Sequence, residues 1–147
     1  MTENNEIKMQ EFTITTIVQL RQAVKIISDL INNRGVIYLS GDLGSGKTTF
    51  TRYFLHSLGW EDAVPSPTYS LINTYQVKGL NILHADLYRL TEPDELLYLD
   101  VRDWQINNDL IFIEWAEKAA GFIPPADYEI SFNYSAEERK LFLSKPS

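Results

Sequence analysis

The segment GDLGSGKT, from Gly41 to Thr48, matches the phosphate-loop pattern G-x-x-x-x-G-K-[ST] at every fixed position. In such a loop, backbone N–H groups and the positive end of the following helix bind phosphate oxygens. Its glycines let the backbone approach the phosphates without a side chain in the way. Lys47 would reach the β- and γ-phosphates, and the Thr48 hydroxyl would be one ligand of a magnesium ion. The segment therefore predicts a site for a magnesium-bound nucleotide.

Two carboxylates that each end an apolar run are candidates for the magnesium shell. Glu114 follows LIFI, and Asp86 ends LNILHAD. Either could instead serve as a helix cap or in a salt bridge, since a buried charge needs some partner. Carboxyl ends of parallel strands share one edge of a sheet, so both acids should lie near the phosphate loop. We assign Glu114 to the magnesium and Asp86 to the attacking water, although the sequence alone leaves open which acid contacts the metal.

Three further side chains that could take part in catalysis or binding are expected to have structural roles instead. His84 lies two residues before Asp86 on the same face of the strand, where it could reach the phosphates. A histidine at such a position more often packs with its nitrogens satisfied, so we leave it outside the site, and His56 is treated likewise. Trp115 is expected in the core on the same grounds.

The first elements of the chain position the phosphate loop. EFTITT predicts a short strand, and Thr16 with Gln19 has the spacing of a capping box that begins a helix. Asn33 and Gly35 signal the end of that helix. VIYLS, residues 36–40, is typical of a buried parallel strand leading into the loop. The helix that leaves the loop is predicted over 48–58; its apolar stripe is Phe50, Phe54 and Leu58.

The remaining elements predict a mixed sheet. YSLINTYQV and LNILHAD are joined through Lys78 and Gly79, a link so short that the strands must be antiparallel. TEPDELLYL, with a threonine cap and Pro93 in its first turn, and AEKAA are predicted helices. YEISFNY and KLFLS predict a second hairpin, with a turn at 135–138. We therefore expect a single α/β domain over residues 1–147: a P-loop NTPase-like three-layer sandwich whose central sheet is mostly parallel, with antiparallel hairpins.

Composition excludes several classes of protein. The net charge of −7 argues against a broad basic surface that would grip a nucleic-acid backbone. The absence of cysteine excludes disulfides, thiolate catalysis and cysteine-ligated metals, and it suits a reducing compartment. The first ten residues lack the apolar core of a signal peptide, and no apolar run approaches the ~20 residues of a membrane span. We expect a cytoplasmic protein that does not enter a membrane.

The absence of known motifs argues against several classes of nucleotide-binding protein. Neither the N-K-x-D nor the D-x-x-G motif of small GTPases occurs, and the L-S-G-G-Q-like signature of transporter ATPases is also missing. A small P-loop metabolite kinase shares the loop and the mixed sheet. Such kinases usually close an arginine-bearing lid over the transferred phosphate, and no segment here is both long and rich in arginine. The kinase alternative is weakened but stays open.

Four segments together resemble the bacterial TsaE (formerly YjeE) ATPases. GDLGSGKTTF, SPTYSLINTY, HADLYRL followed by DELLYLD, and IFIEWAEK occur in the order and spacing of that family, from Thr16 to about Arg139. The resemblance implies an ATPase required for threonylcarbamoyladenosine modification of tRNA, slow alone and stimulated by its partners. Those partners would be the TsaB and TsaD proteins, and tRNA would be met only through the complex. A nucleotide-gated binding module with incidental hydrolysis is the alternative from a different class.

The resemblance also implies roles for individual residues. Thr48 and Glu114 would hold Mg²⁺, with Asp86 as a further metal candidate that assists hydrolysis, Lys47 would act in catalysis, and Thr68 would sense the γ-phosphate. The expected ATP-binding residues are Gly41, Asp42, Leu43, Gly44, Ser45, Gly46, Lys47, Thr48 and Thr49, with Thr16, Glu117 and Arg139 near the nucleotide. The chain departs from the family in having Ser45 where alanine is commoner. It also has Asp100 where a glycine is usual, which calls the geometry around Trp104 into question.

Overall fold

A computed structural model describes residues 6–65, 71–135 and 138–146. The strands along the chain are β1 (Glu6–Ile14), β2 (Gly35–Ser40), β3 (Ile72–Val77), β4 (Leu80–Asp86), β5 (Leu110–Glu114), β6 (Tyr128–Tyr134) and β7 (Arg139–Pro146). The helices are α1 (Ile17–Ile31), α2 (Lys47–Ser57) and the short α3 (Trp104–Asn107), with 3₁₀ segments at Pro93–Leu99, Val101–Asp103 and Ala116–Ala119. Within the described residues the strands form one sheet in the order β1-β7-β6-β2-β5-β4-β3.

The sheet is parallel at its centre and antiparallel at both edges. Strands β6, β2, β5 and β4 run parallel to one another, whereas β3 pairs antiparallel with β4, and β7 pairs antiparallel with β1 and β6. The Lys78–Gly79 link has positive φ at both residues, as a tight two-residue hairpin requires. The hairpin and the mixed sheet are thus confirmed.

Side chains from the two faces of the central strands form two separate cores. Ile37 and Phe112 pack with α1 and α2 on one face, in a core that includes Phe50. Val36 and Ile111 pack on the other face with the 3₁₀ segments and Trp104. Because β2 and β5 are buried on both faces, their sequences are continuous apolar runs instead of alternating ones. This arrangement confirms the predicted α/β three-layer sandwich.

Helix α1 begins as the capping-box spacing predicts. The Thr16 hydroxyl accepts from the Gln19 N–H at 3.2 Å, and the Gln19 side chain accepts from the Thr16 N–H at 3.1 Å. The helix ends at Ile31, where Asn32 adopts a left-handed conformation. Among the described residues, no helix has both the length and the apolarity needed to cross a membrane.

Two predicted helices are 3₁₀ segments and not α-helices. At TEPDELLYL the capping position is taken by Glu92, not by Thr91, whose hydroxyl donates instead to Oε2 of Glu95 at 2.5 Å. AEKAA forms only one 3₁₀ turn, because residues at both ends, Trp115 with φ 60° and Gly121 with φ 88°, have left-handed backbones. Those two residues leave no room for a full α-helical hydrogen-bond ladder.

The segment around Trp104 is well packed although Asp100 stands where the TsaE family usually has glycine. Asp100 takes φ 53° and ψ 42°, the left-handed region in which glycine is normally preferred. Trp104 is nevertheless buried, and its indole N–H donates to the Leu99 carbonyl at 2.9 Å. The segment therefore keeps its geometry with aspartate at this position, at a cost of about 1 kcal/mol in backbone strain.

Candidate functional site

The phosphate loop connects the end of β2 to the start of α2, as predicted. A Cβ atom on Gly41 would lie 2.7 Å from Oγ of Ser45 and 2.9 Å from the Phe132 carbonyl oxygen, closer than real contacts allow. Gly44 and Gly46 have φ angles of 77° and 108°. A side chain would be strained at all three glycines. The glycine pattern is therefore a steric requirement of this loop.

Several donors around the loop fit the phosphates of a nucleotide. The first helical hydrogen bond runs from the Phe50 N–H to the Gly46 carbonyl at 2.8 Å, so the N–H groups of residues 47–49 have no helical acceptor. The buried Ser45 hydroxyl also has no hydrogen-bond partner in the described part of the chain. Asp42 and Leu43 are exposed at the tip of the loop. Unpaired donors at the positive end of a helix favour an anion.

Lys47 lies within this arrangement and is only 5% exposed. Its Nζ donates to the Gly41 carbonyl and lies 4.1 Å from the centre of the Trp115 ring. Burial lowers the pKa of Lys47, although the nearby Glu114, Asp86, Glu117 and Asp42 carboxylates act in the opposite direction. An ammonium group removed from water interacts more strongly with a phosphate charge than an exposed one does.

The structure brings the two strand-ending carboxylates together. Asp86 and Glu114 are paired positions on the neighbouring parallel strands β4 and β5. The Thr48 hydroxyl donates to Oε2 of Glu114 at 3.2 Å, and Glu114 is 2% exposed. Asp86 is half-buried and accepts from the Tyr88 N–H at 3.0 Å. Burial raises the pKa of Asp86; the Tyr88 hydrogen bond lowers it, and the charge of Glu114 raises it further.

Thr48 and Glu114 fit a magnesium ion that is bound together with a nucleotide. They supply a hydroxyl and a carboxylate oxygen, the hard ligands that Mg²⁺ prefers. The described residues contain no group of three or more histidine, aspartate or glutamate side chains that could hold a metal by itself. Mg²⁺ bound with one or two carboxylates, substrate phosphates and water needs no such group.

A groove of about 410 Å³ beside the loop holds two more of the predicted residues. Thr16 and Arg139 line it together with Thr49 and Tyr134. The Arg139 guanidinium lies over the Tyr134 ring at 5.3 Å, and its Nη1 is 3.4 Å from where a Cβ on Gly46 would be. Thr16 and Arg139, far apart in sequence, thus meet next to the phosphate loop.

The predicted Glu117 lies elsewhere. It is exposed on the 3₁₀ turn after Trp115 and lines a different groove, with Tyr38 and Ser40. Its charge still reaches Lys47, whose pKa it raises. Thr68, the predicted γ-phosphate sensor, lies outside the described residues.

His84 belongs to the site, contrary to our expectation. Its Nε2 lies 2.6 Å from Oε2 of Glu114, the side chain is fully buried, and Nδ1 has no partner among the described residues. Its position two residues before Asp86 was a correct signal that it shares a face with the site. The sequence alone did not reveal that β4 pairs with β5, and this pairing brings His84 close to Glu114.

Trp115 packs against a core, as expected, and also contacts the site. It is half-buried beside the core that contains Trp104, and its ring centre lies 5.0 Å from that of Tyr88 and 4.1 Å from the Lys47 ammonium. Its left-handed backbone, immediately after β5, turns the chain sharply at the site. A cation over an indole ring is a favourable contact, so Trp115 shields and orients Lys47.

Comparison with known proteins gives a consistent result. A sequence model of the family described as "Threonylcarbamoyl adenosine biosynthesis protein TsaE" matches residues 14–141. The tRNA threonylcarbamoyladenosine biosynthesis protein TsaE of Haemophilus influenzae is 43% identical over 108 residues, covering 74% of this chain and 68% of that protein. Its namesake in Bacillus subtilis is 33% identical over 105 residues, covering 71% and 65%. The crystal structure of Bacillus subtilis YdiB shares the fold, with a TM-score of 0.76 at 22% identity, covering 96% of this chain and 88% of that one.

Proposed function

The chain belongs to the TsaE family of threonylcarbamoyl adenosine biosynthesis proteins, and on that premise we propose that it is a magnesium-dependent ATPase in threonylcarbamoyladenosine modification of tRNA. The observation that carries the proposal is the contact between the Thr48 hydroxyl and Glu114 at the start of α2. A phosphate loop and a strand-ending carboxylate meet there as magnesium-nucleotide chemistry requires.

Each residue of the site would have its own role in ATP hydrolysis. The loop N–H groups and Lys47 would bind and neutralise the phosphates, and Thr48 with Glu114 would hold Mg²⁺, which stabilises charge that develops on the phosphate oxygens. Asp86 would orient the attacking water and accept its proton, and its raised pKa makes it a better base than an exposed aspartate. Thr16 and Arg139 would contact the nucleotide beyond its phosphates.

We propose TsaB and TsaD as the partners, with hydrolysis supporting turnover of their assembly in the cytoplasm. The net charge of −7 supports contact with tRNA through those partners and not directly. A protein-binding surface is supported by an open groove of about 690 Å³ that includes Leu97, 70% exposed, and Phe122, 47% exposed. Asp100, Arg102 and Asp103 also line it and leave one net negative charge, so the contacting surface of the TsaB–TsaD assembly should be apolar with a small excess of basic groups.

Phosphate release from ATP, measured with and without purified TsaB and TsaD at fixed Mg²⁺, tests this proposal. Marked stimulation by the pair is expected. If ATP binds and no stimulation occurs, the partner-coupled ATPase is contradicted, and the nucleotide-gated binding module takes its place. The use of labelled γ-phosphate adds a check, since transfer to a metabolite instead of release as free phosphate would indicate a kinase.

A surface variant tests the groove separately. Leu97→Ser should reduce stimulation by TsaB and TsaD and leave basal phosphate release unchanged, because Leu97 lies away from the phosphate loop. Ile26→Ser, at an exposed apolar position on α1, is the matched control. Equal stimulation of both variants would show that the partners bind elsewhere.

A further inference from the structure

A buried histidine and the candidate magnesium ligand share a short hydrogen bond. Nε2 of His84 lies 2.6 Å from Oε2 of Glu114, and the same oxygen accepts from the Thr48 hydroxyl. Both contacts therefore fall on Oε2. The other oxygen, Oε1, receives no hydrogen bond from the described residues. Two polar contacts on one oxygen restrict the orientation of the carboxylate and leave the second oxygen available to a cation or its water.

The other nitrogen of His84 belongs to a residue whose cross-strand neighbour carries a complementary group. Asn73 on β3 pairs with His84 on β4, so the two side chains lie on the same face of the sheet as neighbours. Nδ2 of Asn73 and Nδ1 of His84 are both buried and have no hydrogen-bond partner within the described ranges. An amide nitrogen is a donor, and Nδ1 is an acceptor when the imidazole proton is on Nε2. The two unpaired groups thus belong to neighbouring residues and are complementary in polarity.

We propose that His84 is a positioning residue for Glu114, and that Asn73 sets its tautomer by donating to Nδ1 directly or through one water. The proton is then on Nε2, from which His84 donates to Oε2 of Glu114. This forms a polar chain from β3 through His84 and Glu114 to Thr48 at the start of α2. The inference rests on the magnesium-nucleotide site proposed above, in which Glu114 holds the ion.

The opposite tautomer fits the surroundings poorly. A proton on Nδ1 would place a donor against the donor Nδ2 of Asn73, and it would leave Nε2 as an acceptor facing a carboxylate oxygen. The contact between Nε2 and Oε2 of Glu114 would then be repulsive, at a fully buried side chain. Hydrogen bonds that a ligating carboxylate accepts from neighbouring side chains are also the usual way in which such a metal ligand is oriented.

The tautomer can be read directly in the unmodified protein. The chain has two histidines, so a ¹⁵N NMR spectrum of their rings contains two spin systems, and His56→Gln identifies that of His84. We expect the proton of His84 on Nε2, with and without ADP and Mg²⁺. A proton on Nδ1, or on both nitrogens, would overturn the proposal.

Variants test the effect on magnesium. The measurement is the melting temperature of the protein at fixed ADP while Mg²⁺ is increased, which does not require hydrolysis. His84→Leu should need about 10-fold more Mg²⁺ for the same stabilisation. His84→Gln, which can donate from a similar place, should restore the wild-type requirement, and Asn73→Leu should show a smaller increase. Tyr75→Phe is the control, since it removes another unpaired buried hydroxyl on the same face of β3.

The outcomes separate this inference from the function that it rests on. If wild-type protein shows no stabilisation by ADP and Mg²⁺, the proposed function fails. If wild type responds and His84→Leu responds at the same Mg²⁺ concentration, the positioning role fails. Should His84→Leu not fold, Asn73→Leu and the tautomer of the wild-type protein still decide the question.

Discussion

Two regions on either side of the start of α2 differ in their exposure to water. On one side, Lys47, Glu114 and His84 are almost completely buried and contact one another or their immediate neighbours. On the other side, Thr16 and Arg139 are exposed in a groove. We name the first group, together with Thr48 and Asp86, the phosphate edge, and the second the side groove.

The difference in exposure indicates that the phosphate edge determines the rate of hydrolysis and that the side groove contributes to nucleotide affinity. Charges in the phosphate edge act through little water, so each one has a large effect on a bound phosphate. Charges in the side groove are screened by solvent and should add modestly to binding. Changes in the phosphate edge should therefore strongly reduce hydrolysis or raise its Mg²⁺ requirement. Changes in the side groove should weaken nucleotide binding and leave the rate at saturation nearly unaltered.

The largest expected effect is that of Lys47→Ala. Loss of the buried ammonium should reduce phosphate release by about 100-fold or more, because the charge developing on the phosphate oxygens loses its nearest cation. ATP binding, measured by calorimetry, should fall as well. Lys25→Ala, on the exposed face of α1, is the control and should behave as wild type. Equal hydrolysis by both variants would contradict the role of the phosphate edge.

Asp86→Asn should separate binding from hydrolysis. The amide keeps the shape of the side chain and its contact with the Tyr88 N–H, but it cannot accept a proton. Phosphate release at saturating ATP should therefore fall by about 100-fold, with ATP affinity nearly retained. Loss of affinity in proportion to rate would place Asp86 in nucleotide binding instead.

The same variant should stabilise the fold at neutral pH. Burial raises the pKa of Asp86, so the folded protein binds this proton more tightly than the unfolded chain does. Stability is therefore lost as the pH rises from the unfolded pKa, about 3.9, through the higher folded value, and the loss persists at pH 7. Asparagine has no such loss. Urea unfolding should show a higher midpoint for the variant at pH 7 and a smaller difference near pH 3; a lower midpoint at pH 7 would refute this.

A moderate effect is expected in the side groove. Arg139→Ala should raise the dissociation constant of ATP by about 5-fold, as for loss of one exposed charge, with little change in the saturated rate. Lys140→Ala, which removes the next charge along β7, is the control. A drop in the saturated rate as large as that of Lys47→Ala would erase the distinction between the two regions.

The smallest effect is expected outside both regions, at Asp100. Asp100→Gly should stabilise the protein by up to about 1 kcal/mol, because glycine adopts the left-handed backbone without strain. Asp103→Gly is the control and should destabilise it, since Asp103 has an ordinary φ of −96°. Urea unfolding measures both. Phosphate release without partners should not change in either variant.

Much of the framework of the site could be predicted because its signals are local. The phosphate loop depends on steric limits at adjacent residues, and the capping box at Thr16 depends on residues three apart. The runs at 36–40 and 110–113 indicated buried strands because both of their faces are covered. The placement of Asp86 and Glu114 at one edge, near the phosphate loop, followed from the rule that parallel strands end at one edge.

What could not be predicted depends on contacts between distant segments. The contact of His84 with Glu114 requires the register of β4 against β5, which single-strand patterns do not encode. The placement of Trp115 over Lys47 follows from its left-handed backbone at the end of β5, and the shortness of the helix after it follows from that residue together with Gly121. Thr16 and Arg139 meet only because β1 and β7 pair antiparallel, which brings the two ends of the chain together.

The most direct test of the phosphate edge is phosphate release from ATP across a Mg²⁺ titration, in the wild-type protein and in Glu114→Ala. We expect the wild-type rate to rise to saturation with Mg²⁺, and the variant to need about 10-fold more Mg²⁺ or to release no phosphate. Coincident curves for the two proteins would show that Glu114 does not hold the metal, and would contradict the account of this site.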